Sequence, residues 1–359
     1  MPAKVYATPN PAPARPVLAL NAGSSSFKFG LHRVSSSSSQ LLLAGEEKRP
    51  VEPGAALRRI AALLTARKLP APAAIGHRFV HGGRQCRHHT VIDAAVLQQL
   101  QAAAAFAPLH VPPALALVAY AQQQFPDVPQ VACLDTAFHA AMPAVARTLP
   151  IPQALRSLGV ERYGFHGLSC ESIVRQLGLR VPSRLVIAHL GHGASVTAVR
   201  DGHSIDTSMG LTPSGGVMMS TRCGDIDPGV LTFAVRELRL DGAQLEGLID
   251  ERSGMMGVSG LSGDLRELRV AAATNPAAQL AIDMFCYSVR KQIAAMAAVL
   301  GGVDLLIFTG GIGEHDAAAR AAICVGLGAL GIPLDPDHTL VLPAQEDWQI
   351  AYHTWRLMT

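Results

Sequence analysis

Apolar residues fall along the chain in short blocks with two distinct spacings. VLAL at 17–20 is a continuous apolar run, NAGSSS follows, and in FKFGLHRV Phe27, Phe29 and Leu31 alternate with Lys28, Gly30 and His32. A buried run, a glycine-serine turn and an alternating run predict strand, tight turn, strand. The serine run at 35–39 lies between two apolar segments and is expected to be a hairpin connection. The plan returns in the second half as RLVIAHL, GHG and ASVTAVRDGHSIDTS, with Asp201 and Gly202 placed for a two-residue hairpin turn. This repetition predicts a duplicated domain.

Between these units the alanine- and leucine-rich stretches 94–107 and 112–125 are strong helix formers and predict helices that cover a sheet. From Pro276 to Leu300, Phe285, Val289, Ile293, Met296 and Leu300 recur at steps of four and three, the helical period. Gly301 and Gly302 then lead into VDLLIFTGGIGE, a buried strand ending in glycines ahead of an alanine-rich helix. Ligands approach an α/β sheet at such strand ends. The expected fold is α/β, with an N-terminal unit at 17–165, a second unit at 166–344 and a C-terminal helix at about 345–359.

Composition narrows the function. With 359 residues, 49% hydrophobic and 16% charged, the chain carries enough apolar material for a large interior in two domains. Thirty basic against 27 acidic side chains, without a long single-sign run, give no support to a nucleic-acid partner. The apolar run 293–303 ends at Asp304, far short of the roughly 20 residues of a membrane span, so no membrane role is expected. Six scattered cysteines without a CxxC spacing fit a reducing compartment, and a cytoplasmic location is expected. Residues 1–16, with five prolines and no apolar core, read as a disordered extension rather than a secretory signal.

Three glycine-bearing turns follow predicted strands: NAGSSS at 21–26, HLGHG at 189–193 and TGGIGE at 309–314. Glycine lets backbone N–H groups approach an anion, so the three together suit phosphates. Neither the P-loop spacing nor a GxGxxG opening occurs. Arg78 in GHRFVHGG and Arg222 in TRCGDIDP have small or apolar neighbours. Each could fork a carboxylate or phosphate, or pair with a structural acid such as Asp225 or Asp227. Asp135 ends the apolar run VACLD and could orient an arginine or cap a helix. His166 in RYGFHG could donate to a developing negative charge, whereas the glycines around His77 and His81 argue against a zinc helix there.

The motifs NAGSSSFK, GHRFVHGG, APLH, DTAFH, RYGFHG, HLGHGAS, DTSMGLTP, TRCGDIDP, SGLSGDLR and FTGGIGE occur in this order, and the chain resembles the acetate kinases from about residue 17 to 352. The resemblance implies two duplicated ribonuclease H-like α/β domains, the fold of acetate and sugar kinases, Hsp70 and actin, closing on a nucleotide cleft. It implies Mg²⁺- or Mn²⁺-dependent transfer of the γ-phosphoryl group of ATP to acetate, giving acetyl phosphate and ADP, and a homodimer. A propionate or other short-chain carboxylate kinase, or a weakly active nucleotide-binding regulator, are the alternatives.

By the same resemblance Asp135, Arg78, Arg222 and His166 are catalytic. Arg78, Val80, Leu109, Phe165 and Pro213 bind the acid. Lys28, Ser24, Ser26, His189, Leu190, Gly191, His192, Gly193, Asp264, Leu265, Arg266, Gly310, Gly311, Ile312, Gly313 and Glu314 bind the nucleotide. Asn21 and Glu346 bind the metal, with Asp347 as the neighbouring alternative to Glu346. The chain departs from the family pattern at His192 and His315, where asparagine is usual, and at Val111, Leu168 and Cys170. The two histidines are larger than an amide and can charge near neutrality.

Overall fold

A computed structural model describes residues 13–23, 26–36, 38–48 and 52–359. Ser24 and residues 1–12 of the expected extension therefore lie outside the described residues. The first sheet is built from β1 (Arg15–Ala22), β2 (Ser26–Val34), β3 (Ser39–Lys48), β4 (Ala74–Phe79), β5 (Thr90–Val91) and β6 (Gln130–Leu134). Its spatial order is β3-β2-β1-β4-β6-β5. β1 begins at Arg15, so the last two residues of the expected extension belong to the sheet. As a central strand, antiparallel to β2 and parallel to β4, β1 is buried almost throughout, which explains its unbroken apolar run. In β2 the expected alternation holds at Lys28, but His32 is buried as well. Gly30 leaves the space its ring fills: a Cβ there would stand 2.6 Å from His32 Nε2. The serine-rich link joins β2 to β3 in antiparallel register, as a hairpin.

The second sheet contains β7 (Arg184–Leu190), β8 (Ala194–Arg200), β9 (His203–Thr207), β10 (Leu305–Thr309) and β11 (Thr339–Val341), in the order β11-β10-β7-β8-β9. Each sheet thus starts with a three-stranded antiparallel meander and adds parallel strands on the side of its first strand. This shared plan is the duplication read from the sequence. Arg200 pairs with His203 across Asp201 and Gly202, which both have positive φ (50° and 81°), the backbone a tight hairpin requires.

The helix Pro276–Leu300 packs on β7 and β8 and buries Phe285, Val289, Ile293, Met296 and Leu300. The last helix, Glu346–Leu357, returns to the first sheet and lies across β1 and β4. Gly76 permits that approach, since a Cβ there would collide with Thr354 Oγ1 and Ile350. Between the sheets runs the helix Gly167–Leu177, in contact with β6, β7 and the C-terminal helix.

Candidate active site

The carboxyl ends of the parallel strands of both sheets open on one cleft of about 380 Å³. From the first sheet come Asn21 at the end of β1, Arg78 near the end of β4, and Asp135 directly after β6. From the second come His189 in β7, the turn Gly191, His192 and Gly193, and Gly310 and Gly311 after β10. The C-terminal helix delivers Glu346 from the side.

Arg78 organises the first-sheet half. Its Nε and Nη2 donate to the same Asp135 oxygen, Oδ2, at 3.0 and 2.6 Å, and its Nη1 donates to Asn21 Oδ1 at 3.1 Å. Burial would lower the guanidinium, but Asp135 and Glu346 outweigh it and hold the charge firmly. Burial lifts Asp135 to about 6 against the pull of Arg78. Thr136, not Asp135, is the cap of the following short helix, and it makes no side-chain capping bond. Asn21 Nδ2 donates to Glu346 Oε2 at 3.0 Å and to Asp347 Oδ1 at 2.9 Å. With a cation on its oxygen and two carboxylates on its nitrogen, the orientation of this amide is fixed. Asn21 therefore turns N–H groups, not its oxygen, toward the two acids. Burial would raise Glu346, yet the charge of Arg78 and the Asn21 N–H hold it below the ordinary carboxylate range, while burial raises Asp347.

An oxygen-rich corner with three carboxylates beside a single guanidinium suits a hard cation such as Mg²⁺. One observation speaks for the fit directly: Asp135 Oδ1 is buried without a hydrogen-bond partner.

The second half is built around two histidines and an arginine. His166 ends the approach to the helix Gly167–Leu177 with φ 58°, a left-handed conformation that costs a non-glycine residue about 1–2 kcal/mol. The backbone of Gly167 fixes it, because Gly167 N–H donates to the Asp135 carbonyl at 2.9 Å and a Cβ on Gly167 would collide with that oxygen. The rings of His166 and His189 stack with centroids 4.2 Å apart. Burial, with His189 and Arg78 behind it, keeps His166 below the usual imidazole range, and burial keeps His189 below it against the pull of Glu346, so both are neutral at pH 7. Arg222 is buried and donates from Nη1 to the Pro213 carbonyl at 3.1 Å. Among the described residues no carboxylate lies within ion-pairing distance of it. The acids next to it in sequence are otherwise engaged: Asp225 accepts from Gly216 N–H, and Asp227 caps the helix Pro228–Glu237. A Cβ on Gly193 would stand 3.2 Å from both Arg222 Nη1 and His166 Nε2, so glycine keeps these two donors open to the cleft.

Val80, Phe165 and Pro213 line the same cleft, as do Ser26, Lys28 and Glu314. Leu109 does not; it is half exposed, while its neighbour His110 lines the cleft. Leu190 and Leu265 are core side chains, and Ile312 packs on the same core. Gly313 is buried in the short helix Gly310–His315. Asp264 and Arg266 pair with each other at the start of the helix Leu265–Ala272, outside the lining. Glu314 Oε1 accepts from Gly310 N–H and Ala344 N–H, both at 3.0 Å, and so ties the β10 loop to the segment before the C-terminal helix. Sequence reasoning missed Glu46, which lies 4.0 Å from Lys28 across β2 and β3. It also missed Ser169 and Ser195, whose hydroxyls meet the ring nitrogens of His189 and His166. The side-chain alternation of the strands could have found Glu46; nothing in the local pattern marks the two serines.

Outside the cleft, His89, Glu171 and His353 form the one such cluster with metal-ligating side chains among the described residues. Leu134 N–H donates to His89 Nδ1 at 3.0 Å, which leaves the proton of a neutral ring on Nε2, facing the Glu171 carboxylate at 3.3 Å. A metal would need that nitrogen bare, so the cluster is a hydrogen-bonded clasp. His353 Nε2 meets the same carboxylate at 2.6 Å.

The model of the acetokinase family matches residues 47–354. The chain belongs to this family. Among its curated relatives, the acetate kinase of Thermosynechococcus vestitus is 44% identical over 309 residues, 79% of this chain and 74% of that protein. The acetate kinase of Methylocella silvestris is 38% identical over 399 residues, 96% of this chain and 98% of that one. The crystal structure of Porphyromonas gingivalis acetate kinase superposes with a TM-score of 0.84 at 33% identity, over 96% of this chain and 100% of that one. A propionate kinase from Francisella tularensis gives 0.86 at 33% identity with the same coverage. The two-domain α/β architecture is therefore that of the acetokinase family. Among the described residues no helix is long and apolar enough to cross a membrane.

Proposed function

We propose that this acetokinase-family member is a carboxylate kinase that transfers the γ-phosphoryl group of ATP to acetate. The observation that carries the reading is Arg222, a buried cation with no carboxylate within ion-pairing distance among the described residues, open to the cleft beside His166 Nε2. Phosphoryl transfer asks a protein chiefly for positioning and charge neutralisation. A guanidinium with free N–H groups and a neutral imidazole donor suit the equatorial oxygens of the transferring group. Arg78, already held by Asp135 and Asn21, lies where the acid carboxylate enters, and Val80, Phe165 and Pro213 give its alkyl end an apolar wall. The attacking carboxylate is ionised at neutral pH and needs no base. One of its oxygens bonds to the γ-phosphorus as the bond from phosphorus to the β–γ bridging oxygen breaks, and ADP leaves with that oxygen. The glycine turns at 191–193 and 310–311 offer backbone donors to the phosphates.

Mg²⁺ or Mn²⁺ would be held by Glu346 and Asp135, with Asp347 next to them, and would neutralise phosphate charge. In this reading Asn21 orients the acids through its N–H groups. A propionate-preferring enzyme is the second reading, since one structural relative is named a propionate kinase and a methylene changes selectivity only modestly. A homodimer is part of the proposal and is read by light scattering. The test is to incubate the protein with ATP, Mg²⁺ and acetate, propionate or butyrate, trapping acyl phosphate with hydroxylamine. Acetate-dependent product is expected. Faster turnover of a longer acid would reassign the substrate, and ATP binding without product from any acid would leave a nucleotide-binding regulator.

A further inference from the structure

The two stacked histidines are held in a crossed pattern. Ser195 stands directly opposite His189 in the register of β7 and β8, yet its hydroxyl meets the other ring, at His166 Nδ1, 2.9 Å away. Ser169, three residues beyond His166, meets His189 Nδ1 at 2.8 Å. Both serines are fully buried. Each hydroxyl has this ring nitrogen as its hydrogen-bond partner among the described residues.

A neutral imidazole carries one proton, and a serine hydroxyl can either donate or accept. Were Nδ1 to donate, each ring would turn a bare Nε2 toward the cleft. The buried hydroxyl hydrogen would also be left without an acceptor, at a cost of about 1–3 kcal/mol. With the hydroxyl donating, both defects vanish: Nδ1 is satisfied and Nε2–H faces the space beside Gly193 where His166 Nε2 and Arg222 Nη1 converge. Only that arrangement lets an anion in the cleft receive donors from arginine and imidazole together. We infer that Ser195 and Ser169 are positioning residues that lock His166 and His189 in the Nε2–H form, each hydroxyl donating to Nδ1. The crossing also joins β8 to the start of the helix Gly167–Leu177, so the two rings keep their stacked geometry as a unit.

This inference rests on the kinase reading for its kinetic consequence but not for its spectroscopic one. The experiment uses the full chain labelled with ¹⁵N at histidine, with the His166 signals assigned by their loss in His166→Asn. The expected wild-type spectrum has a pyrrole-like Nε2 and a pyridine-like Nδ1 for both residues; a pyridine-like Nε2 on His166 would overturn the inference. In Ser195→Ala, kcat for trapped acyl phosphate is expected to fall about 10- to 100-fold, as when groups that orient a ligand histidine are removed. The KM for ATP should hold within about twofold, and Ser195→Thr, which keeps the hydroxyl, should restore most of the rate. Wild-type kcat in Ser195→Ala would equally overturn it, and should that variant fail to fold the wild-type spectrum decides. Absence of acyl phosphate from the wild-type protein with every acid would sink the kinase reading while leaving the tautomer assignment to the spectra.

Discussion

Arg222 lies in the cleft wall with a hydrogen bond to a carbonyl and, among the described residues, no carboxylate within ion-pairing distance. Burial lowers its affinity for its proton; Asp250, beyond ion-pairing distance, offsets this in part, and the nearby charge of Arg78 lowers it further. A buried cation without a partner weakens the fold. A site that must hold a multiply charged phosphoryl group needs such an excess of positive charge before the substrate arrives. Arg222→Met should therefore separate the two effects. Acyl phosphate formation is expected to drop at least 10²-fold, while stability rises by about 1 kcal/mol or more in thermal melts without ligand. A variant that loses both rate and stability would show that the arginine is mainly structural. The sequence left the pairing of Arg222 open, because spacing does not reveal which way Asp225 and Asp227 turn. One points to a backbone amide and the other to a helix end. The serines behind His166 and His189 were illegible for a similar reason: Ser195 shares no helical turn or strand with the ring it touches, and only the tertiary fold brings them together.

At the scale of elements, strands and helices were largely readable because period 2 and period 3.6 survive in the sequence wherever one face is buried. The long helix Pro276–Leu300 and the two meanders follow that rule. What the pattern could not show is how the helix Gly167–Leu177 and the C-terminal helix are joined. Glu171 receives His89 and His353, Arg175 donates to Gln345 and Gln349, and Ser172 bonds the Ala344 carbonyl. These contacts couple the helix that begins at His166 to the one that begins at Glu346. Burial would raise Glu171, but its histidine partners hold it down at about 2, against 4.5 for an ordinary glutamate. A depressed carboxyl contributes stability that is complete above the unfolded pKa and lost as pH falls toward the folded one. Glu171→Gln is thus expected to cost about 3 kcal/mol at pH 7. Its urea-unfolding free energy should converge with the wild-type value as pH drops from about 4.5 toward 2. Parallel curves over that range would show that the clasp stabilises by packing alone. Gly76→Ala, which drives a methyl into Thr354 and Ile350, should lower the urea midpoint by about 1–3 kcal/mol equivalent with an unchanged slope.

On the scale of the whole molecule the cleft belongs to neither sheet alone. Asn21, Arg78 and Asp135 come from the first, His189, Gly193 and Gly310 from the second, and the C-terminal helix brings Glu346 back after the chain has built both. A ligand that touches all of these must favour a state in which the two sheets hold it together, and by mass action it slows opening of whatever it contacts. At about 100 times its Kd the shift is about 2.7 kcal/mol, or roughly 100-fold in the opening equilibrium. Hydrogen exchange with saturating ADP, Mg²⁺ and acetate should therefore show protection in two places distant in sequence: the end of β1 with the start of β2, and the end of β10 with the helix Gly310–His315. If the glycine turns of the second sheet hold the nucleotide as proposed, ADP alone should protect the second place more than the first. Equal protection of both by ADP alone would mean that the nucleotide already closes the cleft. Protection confined to the second sheet with acetate present would mean that the arginine and carboxylate network around Arg78 does not engage the acid, and the assignment of Arg78 to the acid-binding half would fall with it.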